Sequence, residues 1–256
     1  MTDLLNFGTL VRMSPTNVWF LRLTKFAFQL LAPSDDDAVC DVGCGAGERI
    51  LLLSSYVRKA TGMDISAPLI EFLSEKTKGG NASFHVVTAT AEPPPELISA
   101  YDKCLCMDML EHVEDPEQVL GFISKILKPG GYAVIGLPIN TDYEKHHRHF
   151  DAGDVSRLAS DSDMETRVIL LKLSPSGRLI DRTFTLIRNV LSPPRAGDCF
   201  HESMAFKMMT RPKKIHGLYK LVIVLLFKIS QDSYHETYSE DKTARRAFIL
   251  AKKRGG

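Results

Sequence analysis

Residues 41–47 read Asp41-Val42-Gly43-Cys44-Gly45-Ala46-Gly47, and this stretch decides the fold. A short apolar run, Ala38 to Val42, leads into it, and a helical pattern, Glu48 to Tyr56, leads out. Glycines between a strand and a helix let the chain turn tightly and bring its backbone close to a ligand. The same alternation then repeats. Ala60 to Asp64 is a second short strand ending in an acid, and Pro68 to Lys76 is a helix stopped by Gly79-Gly80-Asn81. Phe84 to Val87 is a third strand, Thr90 to Pro95 a proline-rich loop, and Tyr101 to Asp108 a fourth strand. Asp115-Pro116 opens a helix that runs to Leu127. Lys128-Pro129-Gly130-Gly131 is a turn, and Tyr132 to Leu137 a fifth strand. Strand and helix in alternation, with short connections, predict a parallel sheet covered by helices on both faces. The crossovers should be right-handed.

Outside this core the pattern changes. Residues 14–31 read as a helix, with Ser14 as N-cap, Pro15 in the first turn, and Trp19, Leu23, Phe26 and Leu30 on one face. Asn140 to Phe150 is a polar loop rich in histidine. Ala152 to Ser160 is a predicted helix and Arg167 to Leu173 a strand. Residues 174–212 form an insertion punctuated by Pro175, Pro193 and Pro194, with Ile180 to Leu191 as a helix inside it. Lys213 to Ser230 is an apolar helix candidate, and Arg246 to Lys252 a final strand.

Composition narrows the class. The chain has 256 residues, 44% hydrophobic and 25% charged, which excludes disordered, collagen-like and disulfide-scaffold proteins. The net charge of +1 supplies no global field that would make nucleic acid a partner. The five cysteines are scattered without a zinc-ligand spacing, so no metal is expected and the reading is a reduced, cytoplasmic protein. Met1-Thr2-Asp3 does not open a signal peptide. The longest apolar run, Leu221 to Phe227, falls far short of the ~20 residues that cross a bilayer.

Ligands in open parallel sheets bind outside the carboxyl ends of the strands, which is where the glycine loop lies. Asp64, at the end of the second strand, stands where a carboxylate grips a ribose diol. Two details separate this loop from a nicotinamide site. Its spacing is Gly-x-Gly-x-Gly, and Asp41 precedes the first glycine by two residues. A pyrophosphate would be repelled by that acid, whereas a ligand carrying an ammonium and a sulfonium would be attracted.

With these residues in view, the chain resembles the class I S-adenosylmethionine-dependent methyltransferases, in their small-molecule, methyltransferase type 11-like branch. The resemblance rests on residues 41–47, on Gly62-Met63-Asp64-Ile65-Ser66, and on Ala89-Thr90-Ala91-Glu92. It continues through Tyr101-Asp102, the stretch Asp108-Met109-Leu110-Glu111-His112-Val113-Glu114-Asp115-Pro116, and Leu127-Lys128-Pro129-Gly130-Gly131. It covers residues 36–138 firmly and the final strand loosely. The resemblance implies S-adenosyl-L-methionine as cofactor. Gly43 and Gly45 would pass close to its methionine part, with Cys44 and Gly47 completing the loop. Asp41 would face its ammonium, and Asp64 would hold the ribose hydroxyls. Met63 and Ile65 would flank the adenine. Ala91 would reach the adenine edge through its backbone amide, beside Thr90 and Glu92. Asp108 and Met109 would line the methionine side. Many relatives carry an acid where Thr90 stands, and a neutral hydroxyl accepts a hydrogen bond more weakly.

An oxygen acceptor needs a base, and His112, His146, His147 and His149 are the candidates on the carboxyl side of the sheet. Each reads equally as a loop or helix-start residue. The cluster of Glu144, His146, His147 and His149 also admits a metal reading that spacing alone does not support.

The expected architecture is therefore a Rossmann-like, seven-stranded, mostly parallel α/β sheet. It has an N-terminal helical lid (1–35), a cofactor-binding core (36–173), a helical acceptor-side cap (174–245) and a final core strand (246–256). The expected activity is methyl transfer to an oxygen of a small, apolar-bodied metabolite. The alternatives are methylation of a protein or RNA, a non-catalytic cofactor-binding protein and, last, a dehydrogenase. The Phe200, Met204, Phe206, Met208 and Met209 surface fits a lid, core packing or a homodimer contact. Residues 213–228, basic at both ends, admit a weak membrane-surface contact.

Overall fold

Ala38–Val42 forms β1, and all five of its residues are buried. A strand covered on both faces belongs at the centre of a parallel sheet. The computed structural model describes residues 18–141, 146–175, 177–179, 234–237 and 242–255. Val18–Leu31 forms α1 ahead of β1, followed by α2 (Glu48–Leu53), β2 (Lys59–Asp64), α3 (Ala67–Lys76) and β3 (Ala82–Val86). Then come β4 (Tyr101–Met107), α4 (Pro116–Ile126), β5 (Leu127–Pro138), α5 (Ala152–Ser160), β6 (Glu165–Leu173), β7 (Tyr234–Thr237) and β8 (Ala244–Lys252).

The sheet order is β3-β2-β1-β4-β5-β8-β6-β7. The first five strands in that order are parallel, and β8, β6 and β7 join antiparallel. Leaving β1 the chain winds outward to β2 and β3, then returns to β4 on the other side. The crevice at this reversal, between the carboxyl ends of β1 and β4, is where such sheets bind ligands. The glycine loop follows β1 and Asp108 follows β4, so both motifs open onto it.

Two apolar layers sandwich the sheet. On one face Leu21, Phe28 and Leu31 of α1 pack with Ile50 and Leu53 of α2 and Ile70 and Leu73 of α3. On the other, Val119, Phe122 and Ile123 of α4 pack with Val155 and Leu158 of α5. Phe26 meets Phe248 of β8 edge-to-face at 5.0 Å, tying the N-terminal helix to the last strand. Asp115 caps α4 by accepting from the Gln118 amide at 3.2 Å, with Pro116 in the first turn, as its sequence predicts.

Two expectations are corrected. The sheet has eight strands rather than seven. The additional one, β7, pairs Leu170–Leu173 with Tyr234–Thr237 at the sheet edge. Its sequence, Tyr-His-Glu-Thr, carries no apolar alternation, because an edge strand owes its place to ladder hydrogen bonds. The turn at Lys128–Gly131 is drawn into the ladder: the Gly130 amide donates to Lys253 O at 3.0 Å, and the Lys253 amide to Gly131 O at 2.9 Å. The predicted helices 180–191 and 213–230, the Ser14–Pro15 cap and the Met-rich surface lie outside the described residues.

Gly62 in β2 shows how tightly the loop is seated. A Cβ there would stand 2.6 Å from Phe84 Cδ1 and 2.9 Å from Cys44 Sγ. Gly62→Ala is therefore expected to cost about 1–3 kcal/mol by overpacking. Denaturant unfolding checks this, and an unchanged midpoint would show that the layer can yield.

Candidate active site

The glycine loop is pinned from below. The amides of Gly43 and Cys44 donate to Met63 O at 2.8 and 2.9 Å, fastening the end of β1 to the end of β2. The Asp64 carboxylate accepts from the Gly45 amide through Oδ2 at 2.9 Å and from the Ser66 amide through Oδ1 at 3.0 Å. Two backbone amides thus fix its orientation and leave further lone pairs on both oxygens for a ligand. Gly43, Gly45 and Gly47 have φ of 75°, 52° and 72°, the left-handed region that costs a Cβ-bearing residue most. A Cβ on Gly43 would meet Met109 Sδ at 2.7 Å, whereas one on Gly45 would meet nothing within 4 Å. The backbone at Gly45 is open to a close neighbour.

Asp41 lies beneath the loop in β1 and is fully buried. Neither of its oxygens has a hydrogen-bond partner among the described residues. Burial pushes its carboxyl up to about 6; the Arg49 charge opposes this, and Asp64 and Asp108 reinforce it. A buried, unpartnered carboxylate is costly unless something cationic meets it.

Asp108 closes the opposite wall. Its φ is +57°, and its amide donates to Gly136 O at 2.8 Å. Oδ2 lies 3.4 Å from Arg49 Nη2, and Oδ1 is bound by Arg246 Nη1 of β8. Burial works against its charge, but Arg246 and Arg49 outweigh it and hold the carboxyl below its ordinary value. Sequence reasoning missed both arginines. Arg246 is 138 residues away, and no local pattern marks the pairing.

The remaining expected cofactor residues divide. Ile65 is 65% exposed beside Asp64, an apolar face presented to solvent where the adenine was expected. Met63 is buried in the core, so its carbonyl rather than its side chain reaches the loop. Thr90 is half-buried. The Ala91 amide already closes a turn by donating to Thr88 O at 3.0 Å, and Glu92 turns outward to pair with Lys125. Burial pushes the thiols of Cys44, Cys104 and Cys106 up, so none is poised as a nucleophile.

The histidines come together from two loops. His112 ends a short 3-10 turn after β4, and His146 follows β5; their rings meet edge-on at 5.2 Å. His149 is 6.0 Å from His146, and its Nδ1 lies 2.7 Å from Thr141 O. His147 is exposed beside them. Arg148 staples the loops, its amide donating to Glu111 O at 3.2 Å and its Nη2 to Glu114 O at 2.9 Å. Glu111, another group the sequence did not single out, is buried with Oε1 4.0 Å from His112 Nε2. Its Oε2 has no partner among the described residues. Burial, then Asp108, pushes its carboxyl up to about 8. Burial, then His112 and His149, holds His146 below its ordinary value, so it is poised neutral at pH 7. The ligand atoms of Glu111, His112 and His146 lie within 4.8 Å of one another, close enough for a divalent cation to draw them together. Glu144, from the metal reading of the sequence, lies outside the described residues.

These residues fit the cofactor that the sequence resemblance implies. Asp41 offers a buried carboxyl with no hydrogen-bond partner among the described residues, Asp64 a pre-oriented acceptor pair, and Gly45 an open approach.

Comparison with known proteins agrees. Residues 40–135 match the family model of the methyltransferase domain. A ubiquinone biosynthesis O-methyltransferase of Hydrogenovibrio crunogenus is 30% identical over 151 residues, 55% of each chain. The chain thus spans about half the length of that curated relative. Among solved structures, geranyl diphosphate methyltransferase in complex with GPP and sinefungin superposes with a TM-score of 0.60 at 15% identity. It covers 91% of this chain and 78% of that one. The [4+2]-cyclase SpnF superposes at 0.58 with 16% identity, over 92% of this chain and 82% of its own. At such identities the likeness shows the fold alone, and a cyclase beside a methyltransferase shows that the fold does not settle the reaction.

Proposed function

We propose that this chain, whose residues 40–135 match the model of a methyltransferase domain, is an S-adenosylmethionine-dependent methyltransferase that methylates an oxygen of a small, apolar-bodied metabolite. The observation that carries this is the buried Asp41 carboxylate beneath the glycine loop, without a hydrogen-bond partner among the described residues. It calls for a cationic ligand and disfavours a dinucleotide. The relative's name, a ubiquinone biosynthesis O-methyltransferase, supports oxygen as the acceptor atom.

When bound, the cofactor supplies an electrophilic methyl group on its sulfonium. Everything else falls to the chain. Asp64 takes the ribose hydroxyls on the lone pairs left by Gly45 and Ser66. Asp41 balances the ammonium. His146, backed by His112 and the buried Glu111, accepts the proton of the acceptor hydroxyl. Alignment of donor and acceptor can supply ~7–11 kcal/mol of barrier reduction, so positioning matters more than acid–base strength. No helix among the described residues is long and apolar enough to cross a membrane. As the four cysteines among the described residues are free and buried, we place the protein in the cytoplasm.

The test is transfer of labelled methyl from S-adenosylmethionine to a panel of phenols and catechols with and without an apolar tail. Label is expected in the organic extract. His146→Ala is expected to lower kcat by about a hundredfold or more with cofactor affinity unchanged. A folded protein that binds no S-adenosylhomocysteine would overturn the proposal.

A further inference from the structure

Methyl transfer to a hydroxyl leaves a proton to dispose of. The acceptor oxygen bonds to the methyl carbon as the S–C bond breaks. The electron pair of that bond stays on sulfur, and the O–H pair stays on oxygen. One proton per turnover is left over, and His146 takes it first on the reading above. His146 is half-buried, so the proton needs a further carrier to reach water.

The inward direction is closed. Glu111 is buried, and its ligand atom lies within 4.8 Å of those of His112 and His146. Burial, then Asp108, pushes its carboxyl up to about 8, so at neutral pH it already carries a proton. The titratable and charged groups that bear on His146 are His112 and Asp108 from the segment after β4, Arg246 from β8, and His149 from its own loop. Of these, His149 alone is exposed.

The outward direction is open. The rings of His146 and His149 lie 6.0 Å apart, tilted by 48°, a gap that one water molecule can span with two hydrogen bonds. His149 Nδ1 stands 2.7 Å from Thr141 O. A carbonyl only accepts, so Nδ1 carries the hydrogen and Nε2 is the nitrogen that takes a proton. The loop that sets this geometry is clamped at its base. The Asn140 amide donates to Phe150 O at 2.9 Å, Asn140 Nδ2 to Ala244 O at 3.1 Å, and Arg245 Nη1 to Asn140 O at 2.8 Å. An exposed imidazole held in one tautomer beside a half-buried one has the chemistry of a proton shuttle.

We infer that His149 is the proton exit of this site: its Nε2 receives the proton that His146 takes from the acceptor hydroxyl and releases it to solvent. This rests on the reading of His146 as the base. His149 acts through His146 and not on the acceptor itself.

Two measurements on the full chain test it. Heteronuclear NMR of the histidine rings, without ligand, is expected to show His149 as the Nδ1–H tautomer; the Nε2–H tautomer overturns the inference. The second is turnover of labelled methyl in dilute, imidazole-free buffer, with the best acceptor of the phenol and catechol panel. His149→Ala is expected to lower kcat about five- to tenfold with both KM values unchanged, and added imidazole to restore it to within about twofold. Sodium chloride at equal ionic strength should restore nothing. His149→Gln, whose amide can still donate to Thr141 O but takes no proton, should show the same loss and the same rescue. An unchanged kcat in His149→Ala, or a loss that imidazole does not repair, overturns the inference. So does a glutamine variant as active as wild type, which would mean that His149 only holds the loop. Any of these, with His146→Ala still impaired, leaves the base reading standing. An undiminished kcat in His146→Ala, or a folded chain that methylates no member of the panel, overturns that reading and this inference with it.

Discussion

Asp64→Ala is expected to weaken S-adenosylhomocysteine binding by several hundredfold. A carboxylate accepting two ribose hydroxyls contributes two charge-assisted hydrogen bonds of about 1.5–3 kcal/mol each. Losing both converts to roughly 10²–10⁴ in Kd. The substitution also frees the Gly45 and Ser66 amides, so the loop loses its hold at 2.9 and 3.0 Å. Asp64→Asn separates the two effects. It keeps one acceptor oxygen, and its loss should fall between wild type and alanine. Calorimetry at constant pH is the measurement, with circular dichroism to confirm folding. A loss below tenfold in Asp64→Ala would place the ribose elsewhere.

The second large effect is a trade between stability and binding at Asp41. Its carboxyl titrates near 6 in the fold, raised by burial from the 3.8 of a free side chain. The sign follows from linkage. Below the unfolded value both states are protonated and the group costs nothing. As pH rises through the folded value the native state is penalised, by about 3 kcal/mol once ionisation is complete. Asp41→Asn removes that penalty but buries an amide at a cost of about 1–3 kcal/mol. The ligand-free variant should therefore be more stable than wild type at pH 7.5 by up to about 2 kcal/mol, a few degrees in Tm for a chain of this size. The gain should vanish toward pH 4. The same variant loses the partner of the cofactor's ammonium, and removing one member of a buried ion pair costs about 3–5 kcal/mol. A hundredfold or greater loss of S-adenosylhomocysteine affinity is expected. Wild-type affinity should also fall as pH drops below about 6, a dependence absent in Asp41→Asn. Thermal melts and titrations across pH 5–8 check both halves. A variant that binds normally would show that the ammonium is held by another group.

Both predictions concern residues that the sequence already marked. Asp41, Gly43, Gly45 and Asp64 sit within one strand–turn–helix–strand unit. Their roles follow from local conformation: a glycine triplet between an apolar strand and a helix, and an acid at the end of the next strand. The hydrogen bonds that join them span at most 20 residues, so reading the motif amounts to reading the geometry.

The adenine side was less legible. Ala91 and Glu92 belong to a matching motif, yet a turn to Thr88 takes the amide of one and Lys125 draws the carboxylate of the other outward. A motif records which residue types recur. It does not record which neighbour wins a given side chain.

What the sequence alone determined is thus the alternating α/β architecture, the binding edge of the sheet and the loop that faces it, because periodicity and turn chemistry act over a few residues. Only the tertiary structure decided that β7 joins the edge, that His112 meets His146 from separate loops, and that Glu111 is buried. It also decided that Asp108 is shared between Arg49 and Arg246. These are contacts between segments far apart in the chain. Their strength depends on what removes each charge from water, and burial is a property of the packed sheet, not of any stretch of residues.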